Sequence, residues 1–246
     1  MNGFPYTLSN EAQTKRLGVV VLQVDETIED DLRRLLPADA ARLHVTRIPS
    51  GAELTPETIA QMDGELAHSA ALLPDSDFDA IAYACTSGTT LIGAERVADR
   101  IREARRTSHV TDPLSAARAA FSHLGIRTVA IVSPYIESVA QPIRAAFESA
   151  GLDVPVAVSF GEKVEARVAR IDPRSILEAA LHAAERSGAE CLFLSCTNLR
   201  TLGVIDELEA KTGRPVLSSN LVLAWHMARL AGIATAPDAP GRLFAR

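Results

Sequence analysis

Two cysteines stand in matching company. Tyr83-Ala84-Cys85-Thr86-Ser87-Gly88-Thr89-Thr90 (YACTSGTT) and Leu194-Ser195-Cys196-Thr197-Asn198-Leu199 (LSCTNL) each end an apolar run in a cysteine and continue into hydroxyl or amide side chains, 111 positions apart. A thiol at a strand end, with the following residues opening a helix, receives backbone N–H groups and the positive end of a helix dipole. Both favour thiolate over thiol. Such a group acts as base or nucleophile, and two of them across one cleft flank a single carbon, one removing a proton while the other supplies one. The donors of Thr86, Ser87, Thr197 and Asn198 would hold a carboxylate, or an enolate-like oxygen that gains charge in the transition state. A lone cysteine after an apolar strand is packing more often than chemistry, because free cysteine is among the most buried residue types. Repetition in equivalent settings reverses that balance. Cys191 is the contrast: it begins the run ECLFLS, no polar turn follows it, and it reads as core.

The elements that must position these thiols alternate along the chain. Apolar β-type runs fall at 17–22, 42–48, 79–84, 127–133, 154–159, 190–195 and 214–218, and segments of helical period separate them. That is the pattern of an α/β protein with parallel sheets. Ile59, Met62, Leu66, Ala70 and Leu73 form one buried helical stripe; Val139, Ile143 and Phe147 form a second, and Ile176, Ala180 and Ala184 a third. Pro56 and Pro173 sit where first helical turns should start, and Gly125, Gly151 and Gly232 where helices should stop. The order of elements over residues 17–126 repeats over 127–233, which reads as an internal duplication. The expected fold is two pseudo-symmetric Rossmann- or flavodoxin-like lobes: residues 1–113 with a returning C-terminal segment 219–246, and residues 114–218. Ligands of open parallel sheets bind beyond the carboxyl ends of the strands, so both cysteine turns are expected in the interlobe cleft.

Composition narrows the partner. At 246 residues and 47% hydrophobic, the chain buries a sizeable core, and a net charge of -6 with no basic run argues against nucleic acid or an anionic membrane surface. A small soluble ligand is expected. No apolar stretch approaches the roughly 20 residues that span a bilayer, the first 16 residues lack signal-peptide order, and three cysteines make no disulfide framework. These features read as a cytoplasmic protein with free thiols. His44, His68, His109, His123, His182 and His226 lack metal-ligand spacing, and neither CxxC nor HExxH occurs, so no metal is expected. Asp112, Ser218, Ser219 and Asn220 are placed to line the cleft but read more simply as caps of the helices that follow them, and Glu26, Glu29, Asp30 and Asp31 as a helix start as readily as a site.

The residues ACTSGT and SCTNLRTL, with Ser133-Pro134-Tyr135 between them and the two-lobed repeat, resemble the aspartate/glutamate racemase superfamily, in its maleate isomerase and arylmalonate decarboxylase branch. The resemblance covers essentially the whole chain. It implies a cofactor-free, metal-free enzyme, assembled as a homodimer or homotetramer. It places Cys85 and Cys196 on the two catalytic cysteines, Thr86 and Ser87 on the donors that cradle a substrate carboxylate, and Tyr135 on a tyrosine that also contacts it. In maleate isomerases the first cysteine attacks the alkene and the second transfers the proton. In racemases both exchange protons with one carbon.

The chain also departs from that pattern. Where the branch carries a turn with a substrate-binding asparagine, Leu22-Gln23-Val24-Asp25-Glu26-Thr27 stands, with Gln23 and Asp25 nearest the expected contact. A second asparagine is replaced within Glu162-Lys163-Val164-Glu165, nearest to Glu165. Added carboxylates repel a dianion, so the expected substrate is a small zwitterion with a carboxylate at one end and a cation at the other. The stretch VLQVDETIEDDLRR resembles the racemase-like proteins of ectoine and hydroxyectoine breakdown, whose ligands have that charge pattern. Two readings stand beside it: maleate cis-trans isomerisation, and a non-catalytic two-lobed binding protein that would need neither thiol.

Overall fold

The computed structural model describes residues 3–8, 14–53 and 55–244; the outer limits of the expected first lobe, at 1 and 246, lie outside them. β1 (Lys15–Leu22), β2 (Ala41–Ile48), β3 (Phe78–Ala84) and β4 (Thr107–Thr111) form one sheet in the order β2-β1-β3-β4. β5 (Val129–Ser133), β6 (Ala157–Ser159), β7 (Cys191–Leu194) and β8 (Val216–Ser218) form the other in the equivalent order β6-β5-β7-β8. All pairings within both sheets are parallel, with Val21 opposite Ala84 in the first and Val132 opposite Leu194 in the second. In each sheet the strand order reverses beside the first strand, so the crevice of the first lobe opens past β1 and β3, and that of the second past β5 and β7.

Helices cover the sheets: α1 (Ile28–Leu35), α2 (Pro56–Ala70), α3 (Thr86–Ile92), α4 (Ala94–Ala104), α5 (Pro113–Leu124), α6 (Glu137–Ser149), α7 (Glu165–Val168), α8 (Pro173–Arg186), α9 (Ile205–Thr212) and α10 (Ser219–Ala231). Pro56 and Pro173 open α2 and α8, and left-handed Gly125 and Gly232 close α5 and α10. Two of these helices cross between the lobes. α5 leaves β4 and lays Phe121 edge-on against Phe147 and Phe193 of the second lobe, with ring centroids 5.5 and 5.8 Å apart. Each such aromatic pair contributes about 0.5–1.5 kcal/mol beyond its buried area. α10 leaves β8 and packs on β3 and α1 of the first lobe, and also against α5. The exchange ties the sheets into one body and fixes the two crevices face to face.

The run read as a strand over 154–159 shortens to Ala157–Ser159. Pro155 has no N–H to give the ladder, and β6 lies at the sheet edge, where little compensates for that loss. The run around HVTDP supplies β4.

Candidate active site

Each crevice contributes two strand ends. β1 runs into the loop that carries Asp25, β3 into Cys85, β5 into Tyr135, and β7 into Cys196. Cys85 caps α3: its Sγ accepts the Gly88 N–H at 3.1 Å and lies 3.6 Å from Ser87 Oγ. Cys196 is built differently. Its φ of 136° is the one positive value among the described non-glycine residues, and a turn rather than a helix follows it. Such a backbone costs about 1–3 kcal/mol and persists where surroundings hold it. Here the Cys196 N–H donates to Ser219 Oγ at 3.0 Å, at the start of α10.

The two thiols share neighbours. The Tyr135 hydroxyl lies near enough to Cys196 and to Cys85 to act electrostatically on both, and so does Glu165. Ser219 links the two turns a second time, with its hydroxyl 2.8 Å from Thr86 Oγ1. Thr197 reaches across the lobes to donate to the Ala84 carbonyl at 3.3 Å. Cys85 and Cys196 are only 2% and 4% exposed. A cross-lobe contact holds the segment that carries Glu165: Glu53 and Val164 form an antiparallel bridge, the Glu165 N–H donates to the Ala52 carbonyl at 3.1 Å, and Lys163 pairs with Glu53 at 2.6 Å.

Burial overturns the expectation that the thiols rest as thiolates. Desolvation pushes Cys85 up to about 11, against the Ser87 and Gly88 donors that favour the charged form, and drives Cys196 well above its ordinary value. Burial therefore favours the thiol over the thiolate at both cysteines. Cys191 is also free but sits wholly buried in β7, donating its S–H to the Leu192 carbonyl.

Asp25 and Glu165 meet the thiols from opposite lobes, both 2% exposed. Asp25 Oδ1 accepts the Thr27 and Ile28 N–H groups at 2.8 and 2.9 Å, while Oδ2 is buried with no hydrogen-bond partner. Glu165 Oε1 accepts from Asn198 Nδ2 at 3.1 Å, and Oε2 is likewise buried and unpaired. Desolvation raises Asp25 and takes Glu165 to about 7, with the negative charge of Asp25 adding to the rise at Glu165. Each carboxylate is left with one buried oxygen free to hold a proton or meet a cation.

Other residues go elsewhere. Gln23 is exposed; its carbonyl accepts from Arg47, and it is not among the groups gathered at the thiols. Glu26 pairs with Arg170 at 2.8 Å, Glu29 pairs with Arg47 and Arg33, and Asp30 lies at the surface. Asp31 turns inward instead, where Asn220 Nδ2 donates to it at 2.7 Å, and burial raises it to about 6. Asp112 and Ser218 do cap α5 and α10, whereas Ser219 and Asn220 do not act as caps but bind the Cys196 turn. Their position directly after β8, at a strand's carboxyl end, was the available signal for that role. Among the described residues, no group of three or more His, Cys, Asp or Glu could hold a metal ion, and no helix is long and apolar enough to cross a membrane.

Two equivalent parallel α/β lobes with a cysteine at the matching strand end of each define an enzyme of the aspartate/glutamate racemase-like fold. Residues 39–244 match the family model described as arylmalonate decarboxylase, and the chain belongs to that family. It is 32% identical to arylmalonate decarboxylase of Bordetella bronchiseptica over 85% of this chain and 91% of the relative. It is 22% identical to a maleate isomerase of Alcaligenes faecalis over 94% and 97% of the two chains. A solved Nocardia farcinica maleate cis-trans isomerase with a covalently bound succinylcysteine intermediate superposes with a TM-score of 0.84 at 22% identity, covering 94% of this chain and 98% of that one.

Proposed function

We propose that this enzyme isomerises or racemises a small zwitterionic carboxylate, without a cofactor, using Cys85 and Cys196 on opposite sides of one carbon. The observation that carries this reading is the convergence of both thiols on Tyr135 and Glu165 at the mouths of two equivalent sheets. Thr86, Ser87 and Thr197 offer hydroxyls to the substrate carboxylate, and Tyr135 orients it beside Cys196. Asp25 Oδ2 and Glu165 Oε2 receive the cationic nitrogen.

Charge links binding to chemistry. An ionised Glu165 opposes thiolate formation at both cysteines, so a substrate cation seated against it cancels that opposition at the moment it is needed. One cysteine then takes a proton from the substrate carbon, or adds to it, and the other returns a proton on the far face. Ectoine-type molecules pair a carboxylate with an amidinium, and their opened forms pair one with an ammonium, which fits a role in ectoine or hydroxyectoine catabolism.

A second reading, maleate cis-trans isomerisation, is favoured by the maleate isomerase relatives and by the cysteine adduct seen in one of them. Calorimetric titration separates the two. Wild type should bind the zwitterion more tightly than maleate, and Asp25→Asn combined with Glu165→Gln should reverse that order. Preference for maleate in the wild type would hand the function to the second reading.

A further inference from the structure

Tyr83 is a wholly buried phenol that the reaction outlined above does not use. It precedes Cys85 by two residues at the end of β3, where the chain turns and the Cys85 N–H donates to the Tyr83 carbonyl at 3.1 Å. Its hydroxyl donates to the thioether of Met62, with Oη 3.6 Å from Sδ. A thioether is a weak acceptor, a poor match for a buried phenol.

A better acceptor lies beside it. The Tyr83 hydroxyl and the Cys85 sulfur lie near enough to act on one another electrostatically, and Gly88 explains how the two come together. A Cβ built on Gly88 would overlap the Tyr83 hydroxyl and stand 2.9 Å from Cys85 Sγ, so oxygen and sulfur occupy the space that the missing side chain leaves. We propose that Tyr83 is a positioning residue for Cys85, its hydroxyl hydrogen turning from the Met62 thioether to the Cys85 sulfur when the thiolate forms.

The step moves one hydrogen about a C–O bond and needs no rearrangement of heavy atoms. A charged sulfur accepts far more strongly than a thioether, so the hydrogen follows the charge. Cys85 then has three donors: the Gly88 N–H, the Ser87 hydroxyl and Tyr83. Glu165 and Tyr135 are the other titratable groups that face this sulfur, and an ionised Glu165 opposes the charge. Cys196 has its own phenol in Tyr135, which comes from the other strand end of its lobe; the residue equivalent to Tyr83 in the second copy is Leu194. The duplication therefore does not account for Tyr83, and a role in the chemistry of Cys85 does.

This inference rests on Cys85 being a reacting thiol, yet its test needs no substrate. Full-length wild type, Tyr83→Phe and Met62→Leu are alkylated with iodoacetamide at a series of pH values, and labelling of each cysteine is followed by peptide mass spectrometry. Loss of one hydrogen bond to a charged group shifts an ionisation by about one pH unit, so Tyr83→Phe should label Cys85 roughly tenfold more slowly at fixed pH, with Cys196 unchanged. Met62→Leu frees the hydroxyl from its resting acceptor and should speed Cys85 labelling. Equal Cys85 rates in wild type and Tyr83→Phe, or a slowing shared by Cys196, would overturn the proposal. Either failure leaves the two-thiol reaction standing, since that is judged by turnover of Cys85 and Cys196 variants.

Discussion

Asn198 Nδ2 donates to Glu165 Oε1 at 3.1 Å while Asn198 Oδ1, 2.9 Å from the Glu26 nitrogen, accepts its N–H. One buried amide thus fixes the carboxylate of the second lobe and the loop that carries Asp25 in the first. Asn198→Ala leaves these groups without partners, at about 1–3 kcal/mol for each one that stays dry. Chemical denaturation should show a loss on the order of 3 kcal/mol. A loss below about 0.5 kcal/mol would mean that water replaces the amide and that the lobes are joined elsewhere.

The buried acids give the protein an unusual pH dependence. Glu165 rises from 4.5 to about 7 and Asp31 from 3.8 to about 6, mainly through desolvation, and Asp25 rises as well. The folded state therefore holds protons that the unfolded chain has released, so stability declines as pH rises through the window from about 4 to 7. Glu165 alone accounts for roughly 3 kcal/mol at most. Thermal unfolding should show a higher Tm near pH 5 than near pH 8, and Glu165→Gln should flatten the difference. A Tm that climbs across that window would show that Glu165 is ionised in the folded state throughout.

Much of this architecture was legible because periodicity and duplication are written along the chain. The alternating apolar runs and the paired helix-ending glycines Gly125 and Gly232 carry both sheets and their equivalence. The cysteine turns could be located, but not the ionisation of their thiols, because desolvation depends on what closes over a group. Here the groups around the thiols include Tyr135, Glu165 and Ser219, remote in sequence from Cys85 and brought in from the other lobe's strand ends and from α10. The roles of Ser219 and Asn220 were hidden for a related reason: a hydroxyl and an amide at a helix start look like caps until the opposite turn is in place. Gln23 and Asp25 looked alike as loop polar residues. The backbone N–H groups of Thr27 and Ile28 draw Asp25 inward, while Gln23 stays outside.

Gly88 is needed for the space it leaves. Gly88→Ala sets a methyl group against the rigid Tyr83 ring and 2.9 Å from Cys85 Sγ. Overpacking of this kind costs about 1–3 kcal/mol, and the displaced sulfur should lower kcat more than it raises KM. Unchanged stability and turnover would mean that α3 shifts freely, and that the Cys85 geometry described above is not required.

Cys191 serves as the internal control. It is a core thiol in β7, so Cys191→Ala should cost about 1 kcal/mol of stability and leave turnover within twofold of wild type. A loss of turnover matching that of the other two cysteines would move chemistry to a thiol that no substrate reaches in this fold.

The central claim is that Cys85 and Cys196 act on the same substrate carbon, and turnover with hydrogen exchange tests it most directly. Wild type, Cys85→Ser and Cys196→Ser are incubated with a zwitterionic ectoine-type carboxylate or with maleate in deuterium oxide, and product and incorporated deuterium are read by NMR. Removing one positioned acid, base or nucleophile should lower turnover by about 10²–10⁴-fold in each serine variant while both stay folded. Wild-type product should carry deuterium at the carbon between the two sulfurs. Undiminished turnover in either variant, or product without solvent deuterium, would contradict the two-thiol account.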